Sequence, residues 1–124
     1  MSTIKVGTLL AADGSTTTQP SIPALDQRMA KAWVAFDGTG TIAIRNSYNV
    51  SSIVDDAVGT YTVNLTSALG TSAYAVIGAT RWSNALVGSF HGYNLSGSFR
   101  LLATSATTNS ATDPDTVQAV AFSN

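Results

Sequence analysis

The sequence predicts an all-β fold, an antiparallel β-sandwich of about seven short strands that follows an N-terminal extended arm and one short helix. The chain is rich in Ser, Thr, Ala, Val and Gly and contains no Glu, and this composition favours half-buried strands over long helices. Alternating apolar and polar runs recur roughly every eight to twelve residues with turn residues between them, which is typical of a sandwich. No internal repeat is present, which disfavours a β-helix or a propeller.

Length and charge limit the kinds of protein that this chain can be. Its 124 residues fit one domain with a short appendage. We expect an arm, a linker and a short helix in residues 1–30 and the β-sandwich in residues 31–124. The net charge of −1 and six scattered basic residues argue against a nucleic-acid-binding face. The chain has no Cys, and no apolar run approaches the ~20 residues of a membrane-spanning helix. We expect no cofactor, no disulfide and no membrane insertion.

The arm and its linker occupy residues 2–19. Ile4 and Val6 begin a weakly alternating apolar run that ends at Leu10, and a linker rich in Ser, Thr, Gly and Pro follows. The run is too short for a stable isolated strand. We therefore expect the arm to become ordered only on a partner.

A short helix is predicted between the linker and the sandwich. Pro23 suits its first position and Lys31 its last turn. Ile22, Leu25 and Met29 are three and four positions apart, which is the spacing of a coiled-coil seam. Two interpretations remain open: the seam joins copies of the chain, or the helix is a single turn that packs on its own domain. Helices shorter than ~12 residues are marginal in water, so a seam would be stable only if the β-domains also associate.

The first two strands are predicted as a hairpin within residues 31–54. Asp37 and Gly38 stand between two alternating runs, and Asp-Gly in that position is a strong hairpin signal. In the first run Ala32, Val34 and Phe36 share one face opposite Trp33, and one face of the hairpin should be core. The second run alternates along Ile42, Ile44, Asn46 and Tyr48.

Five further strands are predicted in residues 60–66, 73–80, 86–93, 98–103 and 116–122. Residues 73–80 are almost continuously apolar, which predicts a central strand covered on both faces. Residues 104–113 lack periodicity and are expected to form an exposed loop. The other strands alternate. Tyr61, Val63 and Leu65 share one face of a strand whose other face is wet, Phe90 and Phe99 are expected in the core, and the last strand alternates Val117, Ala119 and Ala121 against Gln118, Val120 and Phe122.

Glycan-cleaving enzymes use two carboxyl groups roughly 5 to 9.5 Å apart. Because the chain contains no Glu, both groups would have to come from Asp residues. Turn and loop chemistry accounts for every candidate: Asp37, Asp55, Asp56, Asp113 and Asp115. Asp55 and Asp56 in particular are expected in a turn between strands. His91 is the only histidine, and a lone His without Cys or Glu is weak support for a metal site. We therefore expect neither an enzyme nor a metal centre.

The candidate contact residues lie in two pairs. Arg81-Trp82 stands beside a Ser/Asn turn, where an aromatic ring with polar neighbours can stack on a sugar ring or anchor a protein contact. Tyr93-Asn94 is the second candidate. The alternative for Trp82 is burial, either inside the sandwich or between the subunits of a trimer.

Three segments carry a resemblance to a known family. They are residues 31–53 (Lys-Ala-Trp-Val-x-Phe-Asp-Gly-Thr-Gly-Thr-Ile-Ala-Ile-Arg-x-Ser-Tyr-Asn-Val-Ser-Ser-Ile), Gly59-Thr-Tyr-Thr-Val-Asn-Leu65 and Thr116-Val-Gln-Ala-Val-Ala-Phe122. They resemble a module of bacteriophage tail-fibre and related virion fibre proteins, especially those of phages that infect cyanobacteria. The opening Ser2-Thr-Ile-Lys-Val6 is similar to the start of such proteins.

The resemblance implies a homotrimeric, β-rich virion component, and it points to a host-surface glycan or protein as a partner. Because the N-terminus lacks a long apolar run, we expect the protein to be made in the host cytoplasm. Because the arm cannot fold alone, we expect it to dock on other virion proteins. It supplies no catalytic motif. The leading hypothesis is therefore a non-enzymatic, small trimeric tail fibre. A capsid decoration or cement protein, which would bind between capsid subunits with the same arm and sandwich, is the alternative, and a glycan depolymerase is the third hypothesis.

Overall fold

The structure, a computed structural model, describes residues 2–14, 25, 28–82 and 85–123, with the backbone alone for residues 85–91. These residues contain eight strands: β1 (Ala32–Asp37), β2 (Ala43–Tyr48), β3 (Val50–Ala57), β4 (Thr60–Leu65), β5 (Ala75–Trp82), β6 (Ala85–Leu95), β7 (Ser98–Ser105) and β8 (Thr116–Phe122). Every pairing between them is antiparallel. The predicted all-β, antiparallel fold is confirmed.

The strands are hydrogen-bonded in the order β2-β1-β8-β5-β6-β7-β4-β3. The first four form one layer of the sandwich and the last four form the other, because the inward side chains of β1 and β8 belong to the same core cluster as those of β4 and β7. Phe36 of β1 meets Tyr61 of β4 edge to face, with ring centroids 5.1 Å apart. At one edge the layers are joined by a short pairing of β5 with β6 between Thr80 and Val87.

Alternation along four strands builds the core between the layers. Each of these strands points every second side chain inward, and burying a large apolar side chain contributes about 1.5 to 3 kcal/mol. Phe99, predicted as core, is buried, and on the other strands the buried face is the one that contains Ala32, Val34, Phe36, Tyr61, Val63, Leu65, Val117, Ala119 and Ala121. Leu101 and Ala103 of β7 are buried with them. The side chain of Phe90 lies outside the described residues.

The chain crosses from one layer to the other at Asn49. Its backbone has a φ of 55°, a left-handed conformation that Asn tolerates better than most residues. The side-chain Nδ2 donates to the carbonyl oxygens of Lys31 and Ser67, both at 3.0 Å, and Oδ1 accepts from the Ser67 N–H at 2.7 Å. The predicted hairpin of β1 and β2 is confirmed. The second run nevertheless ends at Tyr48, because residues 50–57 pair with β4 in the opposite layer.

The prediction that β5 is a central strand is not confirmed, because within the first layer it lies at the edge that meets β6, and one of its faces is open. It lies between β8 and β6, and Val76 packs against the core. On the other face Ile77 is 64% exposed. The prediction that both faces are covered is therefore wrong for the single chain, because neither layer folds over the outer side of β5.

The arm has no strand or helix within residues 2–14. Its large apolar side chains, Ile4, Val6, Leu9 and Leu10, are exposed. Most of the predicted helix, including Ile22, lies outside the described residues. Leu25 and Met29 of the proposed seam are described and are both partly exposed.

Candidate functional site

The two predicted contact pairs lie far apart in the structure. Arg81 and Trp82 end β5, and Trp82 pairs with Ala85 at the start of β6. Tyr93 and Asn94 follow near the other end of β6. At about 3.3 Å per residue, the eight positions between Ala85 and Tyr93 span roughly 26 Å. The four residues therefore do not form one site.

The pair at the end of β5 is open to solvent. Arg81 is exposed, and Trp82 is 43% exposed. Burial of Trp82 within the sandwich is thus excluded, and contact with a partner remains a prediction.

The two residues of the second pair, Tyr93 and Asn94, have different roles. Tyr93 is 44% exposed, and the guanidinium carbon of Arg100 lies 4.8 Å from its ring centroid, a cation–π contact that holds the ring in place. Asn94 donates from Nδ2 to the carbonyl oxygen of Tyr74 at 2.8 Å. Tyr93 is therefore available to a ligand, whereas Asn94 is used to join β6 to the segment before β5.

A partly exposed apolar row crosses the first layer, and the contact predictions did not include it. Strand register places Trp33 opposite both Tyr48 and Val120, and Val120 opposite Ile77. Residues that are directly opposite share a face of the sheet. We call these four side chains, which span β2, β1, β8 and β5, the apolar face. The signal that could have found it is the near-continuous apolar sequence of β5, which requires cover on its second side.

A groove runs beside the apolar face. The next register row contains the side chains Ala35, Gln118 and Ala79. Because the two Ala side chains are smaller than Trp33 and Ile77 beside them, a groove of about 360 Å³ is left between the rows. No charged side chain lines it. Its shape and chemistry suit aliphatic side chains better than a sugar or an ion.

The outer surface of the second layer has the opposite character, and we call it the polar face. Asn64 donates to Ser52 Oγ at 3.1 Å, Thr62 hydrogen-bonds Asp56, and Arg100 forms an ion pair with Asp56 at 3.4 Å. Val54 lies among these residues, opposite Thr62, and is 46% exposed. The two outer surfaces of one domain thus differ in chemistry while sharing the same strand geometry.

The first carboxylate candidate, Asp37, stabilises the hairpin turn as expected. Its Oδ1 accepts from the backbone N–H of Thr39 at 2.9 Å and from the Thr39 hydroxyl at 2.6 Å. Arg45 forms an ion pair with Oδ2 at 3.1 Å. The hydrogen bonds from Thr39, with the charge of Arg45 added, hold the pKa of Asp37 below its usual value. These bonds account for Asp37 without a catalytic role.

Asp113 ties the long loop to the sandwich. Its Oδ1 accepts from the backbone N–H of Gly59 at 2.6 Å and from the hydroxyl of Tyr61 at 2.9 Å. Burial raises the pKa of Tyr61 far above its ordinary value, and the hydrogen bond to the Asp113 carboxylate adds to that shift. Gly59 has a φ of 67° and is packed against the carbonyl of Ala103, so only glycine fits there.

The remaining site predictions were partly wrong about local structure. Asp55 and Asp56 lie within β3 rather than in a turn, because the chain reverses later, at Val58 and Gly59.

The side chain of His91 lies outside the described residues. Among the residues that are described, no cluster of three or more His and Asp side chains could hold a metal ion. No helix in the same part of the chain is long and apolar enough to span a membrane.

Comparisons of the chain with protein-family models, with curated proteins and with solved structures found no match.

Proposed function

We propose that the protein is a non-enzymatic structural component of a bacteriophage virion, a small trimeric tail fibre. The observation that carries this proposal is the arm. Four large aliphatic side chains between Ile4 and Leu10 are exposed, and Ile4 is 86% exposed. Exposed apolar segments of this kind mark places where a partner binds. In this proposal the arm is the element through which the domain assembles, and the resemblance to phage fibre modules supports a virion as the assembly.

The structural use of the carboxylates supports a non-enzymatic role. Asp37 and Asp113 are engaged in turn and loop anchoring, and Asp56 is paired with Arg100. Retaining and inverting glycosidases instead need two carboxyl groups that face a common cleft. The groove on the first layer contains no carboxylate in its lining.

We propose that the exposed aromatic residues away from the apolar face contact the host. Tyr93 is backed by Arg100, and a ring held in this way can stack on a sugar or a protein side chain at low entropic cost. Trp82 offers a second ring at the far end of β6. Leu25 and Met29, which are partly exposed, are proposed to contribute to the trimer contact before the sandwich.

The test is to purify phage particles, separate tails from capsids and identify the protein in each fraction by mass spectrometry. The proposal expects it in the tail fraction, and expects a trimer mass by light scattering of the isolated protein. Recovery with capsids would favour the decoration protein instead. Absence from particles, together with a stable monomer in solution, would overturn the proposal.

A further inference from the structure

We infer that the groove beside the apolar face binds the N-terminal arm of a neighbouring copy of the chain. The inference rests on the proposed function, in which the protein assembles through its arm, and it names the partner of that arm.

The apolar face has the chemistry of a covered surface. Trp33, Val120 and Ile77 lie in one row on three adjacent strands, and no charged side chain lines the groove beside them. The polar face has the same strand geometry but carries Asn, Thr, Arg and Asp side chains that bond to one another. A sheet that faces water on one side alternates apolar and polar residues, whereas a covered sheet does not. The row of Trp33, Val120 and Ile77 follows the covered pattern, and polar residues on the same face begin at Gln118 and Arg81.

The arm has the residue pattern expected of a segment that covers the apolar face. In an extended chain successive side chains point to opposite sides, so Ile4, Val6 and Leu10 lie on one side and Lys5 and Leu9 on the other. These aliphatic side chains match a groove lined mainly by apolar residues. Lys5 would remain in water, so binding would bury no unpaired charge.

The arrangement in the single chain favours an arm from another copy. Residues 15–31 could span roughly 50 Å when extended, which is enough for the arm to reach its own groove. The arm is nevertheless exposed, and so is Ile77.

Two apolar faces packed directly together would leave the exposed aliphatic side chains of the arm, Ile4, Val6, Leu9 and Leu10, without a partner. An arm held in the groove adds the surface of its own residues to that contact.

Disulfide trapping tests whether the arm of one copy binds the groove of another, because the chain contains no Cys of its own. One tagged chain carries Val6→Cys, a differently tagged chain carries Ala79→Cys, and the two are co-expressed and oxidised. Ala79 is exposed and lies in the groove. We expect a disulfide-linked pair of the two chains. The matched control pairs Val6→Cys with Val54→Cys on the polar face, and we expect it to link at least about tenfold more slowly, because no binding raises the local thiol concentration there.

Three outcomes would overturn the inference. A double variant that closes a bond within one chain, while the single variants do not link, would assign the groove to the chain's own arm. Linkage of Ala79→Cys to itself would show that two faces meet directly. No linkage above the control would show that the arm binds elsewhere. None of these results removes the protein from phage particles, so the proposed function would fail or stand on its own test.

Discussion

At the scale of single residues, the long loop depends on one carboxylate and one tyrosine. Asp113 bonds to Gly59 and Tyr61, which precede it by more than fifty residues, with sequence separations of 54 and 52. The sequence predicted a loop at Asp113 but offered no way to find these partners. Asp37 could be explained from sequence because Thr39, which donates two hydrogen bonds to it, lies two residues away. Local turn chemistry is readable from sequence, and long-range anchoring is not.

Tyr61→Phe tests this anchor through pH. Burial and the bond to Asp113 raise the pKa of Tyr61, so the folded protein keeps the phenol neutral when the unfolded chain, with a tyrosine pKa near 10, begins to ionise. The unfolded state then holds fewer protons, and the free energy of unfolding falls as pH rises above about 10. We expect the variant to lose about 1 to 2 kcal/mol at neutral pH, since its hydrogen bond is gone, and to show a shallower alkaline decline.

The measurement is urea unfolding at a series of pH values from neutral to alkaline. The decline becomes shallower but does not disappear, because burial also raises the pKa of Tyr74. Tyr93→Phe, at a half-exposed ring, is the control and should leave both the stability and the slope nearly unchanged. Equal alkaline slopes in Tyr61→Phe and wild type would contradict the assignment.

At the scale of elements, the sequence placed most strands correctly because their alternation is local. It merged β2 and β3 into one run, since residues 42–54 contain no Gly or Pro to mark a break. The break depends on Asn49, whose side chain bonds to Lys31 and Ser67, each 18 positions away. Such a corner follows from tertiary hydrogen bonds, and period-two patterning carries no information about it.

Asn49→Ala should destabilise the sandwich by about 2 to 4 kcal/mol, because Ala fits the left-handed backbone less well and leaves the Ser67 N–H and two carbonyls without their partner. Chemical denaturation measures the loss. Asn109→Ala is a matched control, since Asn109 has a φ of 54° but lies in the exposed loop. We expect the control to cost less than about 1 kcal/mol. Similar losses at both positions would mean that the backbone conformation alone sets the cost.

At the scale of the whole molecule, the domain has one apolar outer surface and one polar outer surface. The sequence indicated the first through the apolar character of residues 73–80, but the contact prediction was placed on Arg81-Trp82 and Tyr93-Asn94 instead. Trp82 and Tyr93 can each be identified from sequence as a single aromatic residue beside a turn. A row such as Trp33, Val120 and Ile77 emerges only when the register brings three strands together.

Ile77→Lys should lower the assembled mass measured by light scattering and leave the folded monomer intact, because Ile77 is 64% exposed and its replacement disturbs no core contact. Val54→Lys makes the same change on the polar face and should leave the mass unchanged. Thermal unfolding of both variants verifies that the domain is folded. Equal assembly by the two variants would show that the apolar face takes no part in association.

The strand order also has a consequence for how the chain folds. β8, the last of the eight strands, lies between β1 and β5, so Ala32 pairs with Ala121. The first layer cannot be completed until β8 has been synthesised, and until then β1 and β5 each present an open edge that invites mispairing. Contacts so distant along the chain slow folding, to about milliseconds or seconds for domains of this kind. The nascent chain is therefore most vulnerable to aggregation just before β8 enters the middle of the layer.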